Sequence, residues 1–143
     1  GIFSGELTNW QQVGGADKPI VVITSPKGSG MRNAVKKMIL QEKDYLSREI
    51  VSAIVAASDQ QVSMFPVGIT AVSRSMLDAY HVKTVKVDGV AGTAENVATG
   101  KYSLTKPLTL VTNGEPQGDL ARCIAGVTSP AGKEAFQRRS VPA

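Results

Sequence analysis

The chain has 143 residues, with 16 Lys+Arg against 12 Asp+Glu for a net charge of +4. Hydrophobic residues at 42% and charged residues at 20% describe a globular chain that can bury its own core, outside the compositional range of intrinsic disorder. The single Cys123 and single His81 exclude an intrachain disulfide, a cysteine zinc cluster and a histidine-based metal site or proton relay.

Residues 2–10 read as a short helix or turn leading into the Gly14-Gly15 loop, with Trp10 as a packing anchor. Residues 19–24 are a continuous β-branched run, which predicts a strand buried on both faces. The loop Ser25-Pro26-Lys27-Gly28-Ser29-Gly30 follows. A helix is expected next, its apolar face formed by Met31, Ala34, Val35, Met38 and Ile39, with Lys36, Lys37 and Lys43 in the later turns where cations suit the dipole. A second helix is expected over 47–57, with Ser47 as N-cap and Ile50, Ile54 and Val55 inward.

Residues 64–72 predict a strand around Gly68, and 82–87 a weaker one closed by Asp88-Gly89. Thr93 caps a short helix that Gly100 stops. Residues 108–112 predict a strand ending at the Asn113-Gly114 turn. Helices are expected over 119–127 and 131–138, the latter with Ser129 as N-cap and Pro130 in its first position. Cys123 lies with Leu120, Ile124 and Val127, so a buried thiol is expected. Strands alternating with helices predict an α/β fold.

The strand–loop–helix unit is the segment with chemistry. Gly28-Ser29-Gly30 lets backbone amides turn toward one point, and the following helix adds unpaired N–H groups and partial positive charge. Ser29 offers a hydroxyl, and Lys27 or Arg32 a full charge. The two glycines serve a tight turn equally well, so anion site and plain connection both stand on the residues alone. The loop fits neither the P-loop nor the dinucleotide fingerprint. The basic residues around it read as a solvated face: only Tyr45 interleaves, so no nucleic-acid partner is expected. Asp44, Glu49 and Asp59 read as scattered helix charges, and His81 as a surface or loop residue. No nucleophile-and-base constellation is visible, so no enzyme and no catalytic residue is expected.

Several blocks together carry a resemblance: residues 2–10, Gly14-Gly15, Pro19-Ile20-Val21-Val22, Gly28-Ser29-Gly30-x-Arg32, Val67-Gly68-Ile69, residues 85–91, the long block 95–108, and Ser129-Pro130-Ala131-Gly132 with Val141-Pro142. In order and spacing the chain resembles the phosphate-binding branch of the type II periplasmic solute-binding proteins. The resemblance implies an α/β lobe with a mixed sheet flanked by helices. It also implies a receptor for phosphate or a related oxyanion, the membrane subunits of an ABC importer as partners, no cofactor, and a periplasmic or extracytoplasmic location. No signal peptide is visible at the start of the chain. Family members are two-lobed and about twice as long. By resemblance, 1–103 belong to the second lobe, and 104–143 are the strand and helices that return to the first.

Carried over position by position, the ligand set is Ser25, Lys27, Gly28, Ser29, Gly30, Met31 and Arg32. Gly28, Ser29 and Gly30 match the family. Ser25 stands where it has Arg, Lys27 where it has Asp or Glu, and Met31 where it has Thr. Lys does not reproduce a bidentate guanidinium, and Met31 keeps only the backbone N–H. The alternative is therefore a degenerate lobe acting in assembly or signalling without ligand. Leu108, Leu110, Ile124, Val127 and Phe136 need a cover, by folding back or by exchange between two copies as a homodimer.

Overall fold

The computed structural model describes residues 1–45, 48–52, 58–77, 82–137 and 140–141. It divides into two compact units, Gly1–Lys83 and Thr84–Ala143. The expected partition at 103/104 concerns lobe membership in the family and is a different division.

The first unit is organised by β1 (Val21–Thr24), whose Val22, Ile23 and Thr24 are all buried. Its β-branched side chains suit a strand covered on both faces, as expected. β1 is the centre of a three-stranded sheet between β2 (Ile50–Val51) and β3 (Gly68–Ile69). Both pairings are parallel: Ile23 aligns with Ile50 and Thr24 with Val51 on one side, Val21 with Gly68 and Val22 with Ile69 on the other. The family resemblance implies a mixed sheet. Among the described residues the strands are parallel, and antiparallel pairing is confined to isolated bridges at Asn9–Pro19 and Val87–Val90.

α1 (Gly30–Met38) follows β1, with Val35 buried and Lys36 and Lys37 in its last turn. It ends one residue short of Ile39, which is exposed, and Leu40 takes the buried place instead. The chain turns out of α1 through Gln41 and Glu42, both left-handed, with the Glu42 N–H donating to the Lys36 carbonyl. α2 (Ser58–Met64) leads to β3 and packs on both β1 and β3. At the N-terminus, Trp10–Val13 form a 3-10 turn held by a reciprocal capping box between Asn9 and Gln12. Trp10 is the anchor the sequence suggests: its indole N–H donates to the Val67 carbonyl at 3.0 Å, just before β3.

Two expected elements differ in this unit. The helix expected over 47–57 is replaced at Ile50–Val51 by β2. A short apolar β-branched pair fits either period, and pairing with β1 decides it. Ser47, Ile54 and Val55 lie outside the described residues, as does His81. The strand expected over 64–72 contracts to Gly68–Ile69, because Met64 closes α2.

In the second unit, Val87 and Val90 exchange two backbone bonds of 2.9 Å across Asp88-Gly89. Both turn residues have positive φ, 50° and 79°, as a tight hairpin turn requires. The expected strand over 82–87 shrinks to this one bridge. α3 (Ala94–Ala98) starts at Thr93, whose hydroxyl accepts from the Asn96 N–H at 3.1 Å, and Gly100 leaves it at φ 70°. The strand expected over 108–112 is not formed: Leu108, Leu110 and Val111 are 82%, 62% and 88% exposed. A strand needs a partner for its backbone groups, and no described strand pairs with this segment.

α4 (Gly118–Thr128) and α5 (Pro130–Gln137) pack together, with Pro130 first in α5 and the Ser129 hydroxyl accepting from the Gly132 N–H. Arg138 lies outside the described residues. A Cβ on Gly132 would overlap the carbonyl oxygens of Gly126 and Val127, so glycine sets the closeness of this corner. Cys123 is exposed, not buried. Ile124 and Val127 are half-buried, whereas no described residue covers the side of α4 that carries Cys123.

Candidate functional site

Open parallel α/β sheets present ligands at the carboxyl ends of their strands. Here that edge carries Thr24 at the end of β1 and Ser25 after it, Ser52 after β2, and residues 70–73 after β3. The loop from β1 to α1 is open: Lys27, Gly28 and Gly30 are all exposed. Gly28 has φ 81°, which lets the chain reverse before Ser29. The Ser29 N–H then closes a turn onto the Pro26 carbonyl at 3.1 Å.

Ser29 is the N-cap of α1. Its hydroxyl accepts from the Arg32 N–H at 3.2 Å, and its carbonyl from the Asn33 N–H at 3.1 Å. The Asn33 bond is the first regular one of the helix; of the four orphan amides before it, those of Ser29 and Arg32 are satisfied, by the Pro26 carbonyl and the Ser29 hydroxyl, and those of Gly30 and Met31 are left without an intrahelical acceptor. They sit at the positive end of the helix beside an exposed Lys27, which makes no ion pair with a described residue.

Ser25 is the second mark of a site. It is only 4% exposed, and its hydroxyl has no hydrogen-bond partner among the described residues. A buried orphan hydroxyl costs about 1–3 kcal/mol, so its persistence requires a reason. Ser25 borders a small void of about 10 Å³ with Thr24, Met31, Arg32 and Tyr45. Thr70, just past β3, carries another buried orphan hydroxyl on the same sheet edge.

Arg32 departs from its expected use. Its guanidinium turns under the loop and donates to Thr24 Oγ1 at 2.9 Å and to the Ser25 carbonyl at 3.2 Å. It also grips Glu49 through both carboxylate oxygens, at 2.6 and 3.2 Å. The Tyr45 ring lies 4.3 Å from it, a cation–π contact, and Phe3 meets Tyr45 edge-on. Arg32 therefore fixes the loop from beneath, and its charge is neutralised by Glu49. Burial pushes the Tyr45 phenol up to about 12; nearby Arg32 works against that shift and Glu49 adds to it.

Glu49 is thus no scattered helix charge. No sequence signal links it to Arg32, seventeen positions away, because the link is made by the parallel crossover that seats β2 beside β1. Asp44 does stay at the surface, 3.2 Å from Lys36. Met31 reaches across to the loop after β3, where the Ser73 hydroxyl lies 3.7 Å from its sulfur. The loop from β1 into α1 thus carries Ser25, Lys27, Gly28, Ser29, Gly30 and Met31 in one stretch, with Ser25 buried and Lys27, Gly28 and Gly30 exposed. The Arg32 side chain is directed elsewhere.

Residues 1–134 match the family model of the PBP superfamily domain. The chain is 31% identical over 121 residues to the phosphate-binding protein PstS of Bacillus subtilis, spanning 82% of this chain and 39% of that protein. The PstS of Borreliella burgdorferi is 24% identical over 151 residues, covering 96% of this chain and 53% of the other. A Clostridium perfringens substrate-binding protein of the phosphate ABC transporter type, solved with bound phosphate, superposes with a TM-score of 0.85 at 30% identity, over 96% of this chain and 57% of that one. An ABC-type phosphate transport receptor of Vibrio cholerae gives a TM-score of 0.81 at 23% identity, over 99% of this chain and 61% of that one, and speaks to the fold alone. The chain spans about half the length of the curated relatives it matches. With the family model covering nearly all of it, and the α/β architecture of solved binding proteins reproduced, the chain belongs to the PBP superfamily.

Proposed function

We propose that this chain is one lobe and the returning segment of an extracytoplasmic solute-binding protein that delivers phosphate or a related oxyanion to the membrane subunits of an ABC importer. The observation that carries the reading is the buried Ser25 hydroxyl, unpartnered among the described residues, in the loop that leads to the uncapped first-turn amides of α1 at the carboxyl edge of a parallel sheet. Orphan donors converging on a helix N-terminus are what a tetrahedral oxyanion satisfies. The family and the names of the relatives agree with this chemistry. The work is binding, not catalysis. Ser25, Ser29 and the amides of Gly28, Gly30 and Met31 donate, and Lys27 supplies charge.

The lobe assignment at 103/104 belongs to the same proposal. Residues 104–143 complete the other lobe, which fits the exposure of Leu108, Leu110 and Val111. One lobe makes half the contacts and excludes little water, so the isolated chain binds weakly. Titration with inorganic phosphate at low ionic strength, followed by backbone amide shifts, tests the reading. Saturable shifts that include residues 25–32 are expected in the millimolar range. An absence of any saturable shift refutes it.

The second reading, a ligand-free interaction lobe, draws on the sealing of Arg32 by Glu49. It predicts that same flat titration.

A further inference from the structure

An oxyanion site built on neutral amides and hydroxyls gains most from a guanidinium, whose planar fork matches two oxygens at once. In this chain Ser25 supplies none, and the guanidinium of Arg32 is spent on Glu49. The neighbouring loop offers another. We propose that Arg74, carried by the loop that leaves β3, is the guanidinium partner of the oxyanion held at the N-terminus of α1. This rests on the oxyanion reading above and adds a specificity-determining residue to it.

Three observations support this. The parallel register of Val22 with Ile69 brings the chain after β3 out of the sheet at the same edge as the loop after β1. Ser73 meets the first turn of α1, its hydroxyl 3.7 Å from the Met31 sulfur. Consecutive Cα atoms are about 3.8 Å apart, so Arg74 starts one residue from that contact with a long side chain to extend. Arg74 is exposed and makes no ion pair with a described residue.

The local hydrogen bonding agrees. Ser73 occupies the N-cap position of the turn Arg74–Met76, yet its side chain makes no capping bond there. It faces a thioether, a weak acceptor, so it remains available to a better one. Thr70, three residues earlier, holds its own buried orphan hydroxyl. Hydroxyls lacking a strong acceptor thus occur on both loops, after β1 and after β3, which is the arrangement of a ligand bridging them.

The test compares phosphate titrations of the whole 143-residue chain with those of Arg74→Gln, Arg74→Lys and Lys37→Gln, each read by amide shifts. Lys37 is exposed in the last turn of α1 and controls for loss of one charge. Loss of a charge-assisted bidentate contact is expected to weaken Arg74→Gln about tenfold, with Arg74→Lys between it and the unaltered chain. The shift at residues 73–74 should vanish in Arg74→Gln, and Lys37→Gln should stay within about twofold, as screened distant charges do. If Arg74→Gln matches Lys37→Gln while shifts at residues 25–32 persist, this proposal is overturned and the oxyanion reading stands. If the unaltered chain shows no saturable shift, the reading itself fails and this proposal falls with it.

Discussion

Arg32 and Glu49 form a bidentate pair, 2.6 and 3.2 Å, with side chains only 13% and 12% exposed. The pair joins the first turn of α1 to the residue before β2. Through the Thr24 hydroxyl and the Ser25 carbonyl it also holds the end of β1. It is a clamp on the loop, and its consequences are measurable.

Replacing Glu49 leaves a guanidinium uncompensated in a nearly buried place. Glu49→Gln is expected to destabilise the first unit by about 3 kcal/mol, the usual cost of breaking such a pair from one side. Urea unfolding of the variant checks it. A loss under about 0.5 kcal/mol, the range of exposed pairs, would show that the clamp is solvated.

Ser25 and Ser29 should separate stability from binding. Ser29→Ala removes the N-cap and should cost about 1 kcal/mol. Ser25→Ala removes an unsatisfied buried hydroxyl and should leave stability unchanged or raise it by up to about 1 kcal/mol. Both should weaken the response to phosphate. Thermal unfolding paired with the titration decides it: a destabilised Ser25→Ala would mean that its hydroxyl has a structural partner.

Much of this fold was legible in the sequence because it is local. The β-branched run made β1, Thr93 capped its helix, Ser129-Pro130 opened α5, and Asp88-Gly89 turned the chain. Long-range pairing was what failed to show. Ile50 and Val51 read as helix until β1 is present to pair with them, and Glu49 reads as a scattered helix charge until β2 brings it to Arg32. Residues 108–112 have a strand's composition without a described partner strand. For the site, the Gly28-Ser29-Gly30 loop was visible from its glycines and hydroxyl. The inward turn of Arg32 and the meeting of Ser73 with Met31 depend on side-chain directions that no spacing encodes.

The α4–α5 corner offers a paired test in the second unit. Gly132→Ala should cost about 2 kcal/mol, since its methyl meets backbone oxygens that have no freedom to withdraw. Gly126→Ala has open space around it and should gain about 0.8 kcal/mol from helix propensity. Chemical denaturation of both variants measures the contrast. Equal effects would mean that the corner is loose.

Tyr45 gives a pH signature. Its phenol is raised from 10.0 to about 12, with burial the largest cause. The folded state therefore keeps a proton that the unfolded chain releases, so this contribution to stability is complete below pH 10 and is lost as pH rises toward about 12. Phenolate absorbance should show a late component that disappears in Tyr45→Phe. If the late component survives that substitution, the Tyr45 assignment is wrong.

The most direct measurement is a crystal structure of the chain grown in inorganic phosphate. The account predicts a tetrahedral anion accepting from the Gly30 and Met31 amides, with the Ser25 hydroxyl turned to it at about 2.5–3.0 Å. A loop empty of anion at saturating phosphate, with Ser25 bonded instead to a trapped water in the small void beneath, would contradict it.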